Sequence, residues 1–217
     1  MIDLYESFAN VVRKIGMPMI NQPIFYNALI GIRFEIGGDE DVYIDNLPSD
    51  ENQYNPKYVN GAVNRATSIY LSLPHPPNIL RIDTYPKEEY HLYKDTIGKL
   101  IELGMPHPDE QKLVTLLLEE EADSIKQLQS YWSINESFGF EALLKEIIMG
   151  DIGSSIPGLV SNVYFVNTGD CILFHLYDDR GADLVADDKE VLRPIFENYN
   201  AWILDYDRDQ ICKAFEN

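Results

Sequence analysis

The segment from Cys171 to Asp183 constrains the fold of this chain more than any other, because strand-forming residues run without a break into a turn. It reads CILFHLYDDRGAD, with two carboxylates, an arginine and a glycine directly after Tyr177. A second apolar run, Leu159 to Val166, precedes it and is separated from it by the turn residues Asn167 to Asp170. Two such runs on either side of a short turn are typical of an antiparallel hairpin. The C-terminal part of the chain therefore predicts an antiparallel sheet.

The rest of the chain mixes helical and strand patterns, which together predict an α+β fold. Helical spacing of apolar residues predicts helices over Asp3–Ile15, Tyr58–Leu73, Thr96–Leu103, Phe138–Met149, Lys189–Tyr199 and Arg208–Phe215. Alternation predicts strands over Ala28–Ile36 and Ile79–Tyr85. Lys112–Glu119 fits either a strand or a helix, and Ser124–Ile134 would pair with it as a strand. We expect a mostly antiparallel sheet with helices packed on one face.

Two loops bear on the organisation of the chain. Gly150–Gly158, rich in glycine and serine, is a surface loop or a seam. It divides the chain into an N-terminal α+β region, 1–150, and a C-terminal region of a hairpin plus helices, 151–217, which form either two subdomains or one continuous domain. Gly37 and Gly38 predict a tight hairpin between the strand before them and Val42–Ile44, since glycine accepts the backbone angles of such turns.

The glycine pair and the three acidic residues after it, 39–41, are similar to the Gly-Gly-Asp-Glu-Phe signature of diguanylate cyclases. In that signature the glycines admit the nucleotide and a carboxylate holds a metal ion. Asp41 stands where the signature has an aromatic residue, and no matching metal-binding region lies upstream. A plain acidic hairpin is the preferred interpretation, because a short motif without its context is weak evidence.

The net charge of the chain limits the kinds of molecule that it is expected to bind. It carries 17 Lys and Arg against 36 Asp and Glu, a net charge of −19. Such a surface repels nucleic-acid phosphate and anionic lipid, and it favours encounter with basic proteins. We expect neither a signal peptide nor a membrane span, because the residues at 1–16 lack the basic start, apolar core and cleavage site of a leader and no apolar run is long enough to cross a bilayer. Cys171 and Cys212 show no metal-ligand spacing, so buried thiols in a reducing, cytoplasmic compartment are expected.

The candidate site is the end of the strand that contains Cys171. Its binding candidates are Tyr177, Asp178, Asp179, Arg180 and Asp183. The three aspartates are also weak candidates for a hard-cation site, because clustered carboxylates supply the oxygen ligands that Mg²⁺ and Ca²⁺ prefer. The alternative is structural: the aspartates accept backbone N–H groups of the turn, and the glycine at 181 takes a positive φ.

The residues from His175 onward, HLYDDRGADLVA followed by DDKEVLRPIFENYNAWILDYDRDQI, resemble an uncharacterised bacterial family of unknown function, known from Bacillus and related bacteria. The family is identified by a Tyr-Asp-Asp-Arg-Gly motif, which Tyr177 to Gly181 match. The resemblance covers about Val163 to Ile211. It implies relatedness and brings no established activity.

Two functions remain at this point. The first is a protein-binding module without a cofactor, which neutralises a basic toxin domain as an immunity protein; it rests on the charge and on the absence of catalytic spacing. The second is a metal-dependent phosphoryl or nucleotide enzyme that uses Asp178, Asp179 and Asp183, with Arg180 as the electrophile. The first is preferred, so the chain is expected to lack enzymatic activity. The sequence pattern gives no indication of the oligomeric state.

Overall fold

The computed structural model describes residues 3–38, 40–44, 53–85, 95–117, 124–153, 156 and 158–216. Within these ranges it has seven α-helices and seven strands. The helices are α1 Leu4–Lys14, α2 Ile24–Asn27, α3 Pro56–Leu71, α4 Thr96–Glu102, α5 Phe140–Ile148, α6 Lys189–Asn198 and α7 Arg208–Phe215. The strands are β1 Ile30–Glu35, β2 Ile79–Thr84, β3 Glu110–Leu117, β4 Ser124–Ser133, β5 Val163–Asn167, β6 Ile172–Leu176 and β7 Gly181–Ala186.

All seven strands form one antiparallel sheet in the order β1-β7-β6-β5-β2-β4-β3. The α+β class with an antiparallel sheet is therefore confirmed. The three C-terminal strands lie in the middle of the sheet, between strands that come from the first 150 residues. The segment that fitted strand or helix is β3, and it pairs with β4 along its whole length.

Helices cover both faces of the sheet, not the single face expected from the sequence. On one face α3, α5, α6 and α7 pack against the strands in a large apolar core. On the other face α1 contributes Leu4, Phe8, Val11 and Val12 to a second, smaller core. The reason lies in the central strands, because every residue of β5, β6 and β7 is buried. Strands that are apolar on both sides need cover on both sides.

The predicted glycine hairpin after β1 is wrong. β1 pairs with β7, and Tyr43 forms a bridge with Tyr54 instead of returning along β1. The backbone N–H of Ile36 donates to the carbonyl of Arg180 at 2.7 Å, which ties the chain after β1 to the turn between β6 and β7. Asp39, the central residue of the cyclase-like run, lies outside the described residues.

The predicted helices are confirmed, with ends shifted by a few residues. Asp3 caps α1, since its carboxylate accepts the N–H of Glu6 at 2.8 Å. Pro194 lies inside α6 without ending it. In the described part of the chain, none of the helices has the length and apolar character needed to cross a bilayer. Cys171 and Cys212 are free thiols.

Candidate functional site

Asp178 closes the turn between β6 and β7. Its Oδ1 atom accepts the backbone N–H groups of Arg180 at 2.8 Å and Gly181 at 3.0 Å. Its Oδ2 atom accepts from Nε of the Arg180 guanidinium at 3.0 Å. Aspartate favours turns because its short carboxylate can satisfy backbone donors two or three residues ahead. The carboxylate of Asp178 is therefore engaged by its own turn.

The next two residues join this turn to the rest of the fold. The Tyr58 hydroxyl of α3 donates to Oδ2 of Asp179 at 2.6 Å. Burial raises the pKa of Tyr58, and the hydrogen bond to Asp179 adds to the shift. The carbonyl of Arg180 binds the end of β1, as described above. One tight turn thus holds a helix and a neighbouring strand.

Gly181 has no positive φ, so the expected backbone reason for this glycine does not apply. A side chain at position 181 would instead overlap the hydroxyl end of the Tyr177 ring. The Tyr177 hydroxyl accepts from Nε of Arg33 at 3.3 Å. Burial raises the pKa of Tyr177 to about 12. Close packing of the tyrosine ring on the backbone accounts for the glycine in this motif.

Asp183 does not join Asp178 and Asp179. It lies on β7 and faces the side of the sheet that α1 covers, where its Oδ2 accepts the N–H of Phe25 at 3.2 Å. A different trio, Asp151 with Asp178 and Asp179, has carboxylate oxygens within 4.8 Å of one another. Asp178 and Asp179 already accept hydrogen bonds from protein donors, so the trio by itself does not indicate a cation site.

Asp183 belongs to a cluster that sequence reasoning missed. Arg33 lies between two buried carboxylates: its Nε is 3.3 Å from Oδ1 of Asp183, and its Nη1 is 3.5 Å from Oδ2 of Asp207. The Tyr26 hydroxyl donates to Oδ1 of Asp207 at 2.8 Å. Burial raises the pKa of Asp183 to about 6, although Arg33 opposes the shift. One guanidinium therefore forms ion pairs with two buried carboxylates.

His175 lies beside this cluster and is completely enclosed. Its ring stacks on Tyr164 with 4.7 Å between centroids. Burial lowers the pKa of His175 to about 4, so the ring is neutral near pH 7. No hydrogen bond of good geometry reaches either ring nitrogen from the described residues, although the Ser161 carbonyl lies close enough to oppose the shift.

These side chains are part of a row that crosses the sheet on the α1 face. Each strand contributes one member, and neighbours in the row are partners in strand register or stack on one another. The row consists of Arg33, Asp183, His175, Tyr164, Arg81, Tyr131 and Glu110. The signal available in the sequence is an arginine inside each of two apolar strands, IGIRFE and ILRIDT. Arg81 is buried between the strands and α1, with the Phe8 ring 5.0 Å from its guanidinium, whereas Arg33 is half-buried beside the rings of Tyr26 and Tyr177.

Comparisons with known proteins show what this chain is similar to. A family model described as "Domain of unknown function (DUF3885)" matches residues 9–207. A segment of 45 residues is 42% identical to the uncharacterized protein YnaE of Bacillus subtilis (strain 168) and covers 21% of each chain. The chain thus matches about a fifth of the length of that relative. No solved structure matches the chain significantly. The Tyr-Asp-Asp-Arg-Gly signature stays a prediction.

Proposed function

The chain belongs to the DUF3885 family, and we propose that it is a protein-binding module whose acidic surface captures a basic partner protein. The observation that carries this proposal is that all seven arginines of the chain are bound by carboxylates or carbonyls of the chain itself. Six pair with carboxylates of the same chain, and Arg65 donates to the backbone carbonyls of Glu35 and Gly37. The six pairs are Arg13 with Glu6, Arg33 with Asp183 and Asp207, Arg81 with Asp83, Arg180 with Asp178, Arg193 with Glu190, and Arg208 with Asp205.

The arginines are engaged within the chain, and acidic side chains outnumber basic ones by 36 to 17. Each such pair is locally neutral or negative, and the chain as a whole keeps its net charge of −19. A field of this sign slows the approach of phosphate groups and speeds the approach of basic proteins. Complementary charge acts mainly on the rate and selectivity of association.

The surface best suited to such a partner is formed by α6, α7 and the segments beside them. We call Asp187, Glu197, Tyr206 and Asp209 the C-terminal acidic surface; all four are exposed. The two helices pack together through the stacked rings of Phe196 and Phe215. Tyr206 is 86% exposed among acidic neighbours. Tyrosine is enriched among the residues that dominate interface energies, so we assign Tyr206 the central contact.

A toxin domain is the basic partner that we propose in particular. Rapid, charge-steered association suits an inhibitor that has to meet its target before the target acts. The free thiols of Cys171 and Cys212 are consistent with an encounter in a reducing compartment such as the cytoplasm. The metal-dependent alternative has less support, because Asp178 binds Arg180 and Asp183 is bound by Phe25 and Arg33 away from the Asp178 and Asp179 carboxylates.

The test begins with a tagged copy of the chain in its own cells and continues with the purified partner. The proposal expects a basic partner whose Kd rises at least about tenfold between about 50 mM and about 300 mM salt. Tyr206→Ala and Glu197→Lys should each weaken binding by about tenfold. Glu141→Lys on α5, an exposed position outside the C-terminal acidic surface, is the control with the same charge change.

Three results would contradict the proposal: a purified partner with an acidic surface, an affinity that does not respond to salt, or equal losses from Glu197→Lys and Glu141→Lys. The toxin assignment has a separate test. The identified partner is expressed in cells with and without this chain, and growth should stop only in its absence. Equal growth in both cultures removes the toxin assignment while the binding proposal stands on its own data.

A further inference from the structure

A cleft on the α1 face of the sheet has the composition of a small-ligand site. It has a volume of about 270 Å³ and lies between α1, the segment from Pro18 to Ile20, and strands β2, β3 and β4. Its walls are largely apolar and partly aromatic, formed chiefly by Tyr5, Phe8, Val12 and Met19, with the half-exposed Arg13 also among the lining residues. Its volume is close to that of pockets that take small molecules, and apolar walls with a few convergent polar groups are usual there.

The floor of this cleft is a buried ion pair. Nε of Arg81 donates to Oδ1 of Asp83 at 2.7 Å, and Nη2 of Arg81 donates to Oδ2 at 2.6 Å. Only 8% of the Arg81 side chain and 2% of the Asp83 side chain are exposed. Bidentate pairing places the two opposite charges in contact, so the floor is polar but carries no net charge.

Two glutamines extend the floor. Oε1 of Gln127 accepts from Nε2 of Gln129 at 2.9 Å and from Nη2 of Arg81 at 3.4 Å. The Tyr131 hydroxyl donates to Oε1 of Gln129 at 2.8 Å. Nε2 of Gln129 carries a second N–H, and each oxygen of Asp83 keeps a lone pair beyond its bond to Arg81. Donors and acceptors therefore stand side by side at the bottom of the cleft.

This arrangement is costly for stability alone. Buried ion pairs seldom stabilise a fold more than apolar side chains of the same size would. A polar floor beneath apolar walls gains its full hydrogen bonding when a ligand supplies partners of matching pattern. Arg81 is neutralised by Asp83, and Arg13, which also lines the cleft, is paired with Glu6 at 3.6 Å, so a charged group at the floor would find no unpaired counter-charge among these side chains. The ligand group that fits is uncharged and both donates and accepts.

We propose that this cleft binds a nucleoside, with the edge of its base on the floor. A nucleobase is flat and uncharged, and its edge presents adjacent donors and acceptors to amide and carboxylate side chains. The Tyr5 ring lines the cleft and would contact the base on the face that the Lys112 ammonium, 3.1 Å from its centroid, leaves uncovered. The Phe8 ring is buried beside Arg81 and forms part of the wall without stacking on the base. The net charge of −19 disfavours a ligand with phosphate groups. This site is separate from the C-terminal acidic surface.

The experiment titrates adenosine, guanosine, cytidine and uridine, and then their 5′-monophosphates, into the full chain and follows binding by calorimetry and ligand-observed NMR. We expect at least one nucleoside to bind with a Kd below about 1 mM and its monophosphate to bind more weakly. Absence of binding by all four nucleosides overturns the proposal. Tighter binding of a monophosphate overturns the assignment of an uncharged ligand.

Variants of the cleft distinguish this site from any other. Ala9 lines the cleft, whereas Asn10 is an exposed residue of the same helix. Ala9→Trp should abolish nucleoside binding, and Asn10→Trp should leave it unchanged. Gln129→Met keeps the volume of the side chain, removes the amide and should weaken binding at least about tenfold, because a floor group loses its ligand partner. Retained affinity in Ala9→Trp would place the nucleoside elsewhere and overturn the proposal, even if Gln129→Met failed to fold.

Discussion

Arg81 and Arg33 both lie on the α1 face of the sheet, yet they are neutralised in different ways. Arg81 faces one carboxylate, Asp83, through two hydrogen bonds shorter than 3 Å. Arg33 is shared by Asp183 and Asp207 at 3.3 Å and 3.5 Å, and the oxygens nearest to it make no hydrogen bond within the described residues. The first cluster is balanced, and the second keeps a surplus negative charge.

The origin of the carboxylates explains this difference. Asp83 is two residues from Arg81 on the same strand, so both side chains point to the same face as soon as β2 forms. Asp183 comes from β7 and Asp207 from a short helix near the C-terminus, so the Arg33 cluster forms only when distant segments dock. Local pairing gives ideal geometry, whereas the long-range cluster is held by β1, β7 and the C-terminal segment together. Burial raises the pKa of Asp83 and of Asp183 alike. Of these two carboxylates only Asp183 keeps an oxygen without a hydrogen bond among the described residues, so the pH response is tested there.

The strongest test of the balanced cluster removes one of its charges. Arg81→Met should lower the free energy of unfolding by about 3–5 kcal/mol near pH 7, because it leaves the Asp83 carboxylate buried without a counter-charge. The double variant Arg81→Met with Asp83→Leu should recover most of this loss, since a well-packed apolar pair can replace a buried ion pair. Urea unfolding followed by circular dichroism measures both. A double variant as unstable as the single one would show that packing around Arg81, including the Phe8 ring 5.0 Å from its guanidinium carbon, matters more than charge.

The surplus negative charge around Arg33 can be tested by measuring how the unfolding free energy depends on pH. The pKa of Asp183 is about 6 in the fold against 3.8 for an ordinary aspartate, so the folded chain holds this proton more tightly than the unfolded chain. The stability that protonation of Asp183 gives is complete below about pH 3.8 and is lost as the pH rises through about 6. Compared with Asp183→Asn, the wild type should gain about 2 kcal/mol of unfolding free energy between about pH 7 and about pH 4.

The control for this pH experiment is Asp209→Asn, which removes an exposed carboxylate from α7. The difference in unfolding free energy between this variant and the wild type should change much less with pH. Parallel pH profiles for the wild type and Asp183→Asn would show that Arg33 fully offsets the burial of the Asp183 carboxylate. The distinction between the two clusters would then fail.

Much of the fold could be predicted from the sequence because its elements have local signals. The stripe of α1, the alternation of β1 and the turn residues between β5 and β6 each predict an element without knowledge of its neighbours. The glycine pair at 37 and 38 misled the prediction for the opposite reason. Its position depends on the Arg180 carbonyl, which is more than 140 residues away in the sequence. Strand order and the covering of both faces are likewise set by contacts between distant segments.

The candidate site was predictable only in part. The turn chemistry of Asp178 follows from local rules, and the structural alternative described it correctly. The role of Gly181 depends on the ring of Tyr177, four residues before it, and a sequence rule about φ could not supply that contact. Arg33 and Arg81 were overlooked because alternation in a strand shows that two faces differ, but does not show which of them is buried.

A pair of tyrosine variants compares the two clusters with the smallest chemical change. Tyr26→Phe removes the hydroxyl that donates to the carboxylate of Asp207, and Tyr131→Phe removes the hydroxyl that donates to the amide oxygen of Gln129. We expect Tyr26→Phe to cost about 1.5 kcal/mol and Tyr131→Phe about 1 kcal/mol, because a hydrogen bond to a charged acceptor is the stronger one. Burial alone would give the opposite order of losses, since Tyr26 is 46% exposed and Tyr131 is fully buried. Urea unfolding of both variants decides between the two factors. A larger loss for Tyr131→Phe would mean that burial of the donor outweighs the charge of the acceptor, and the surplus charge around Arg33 would then matter less than its geometry suggests.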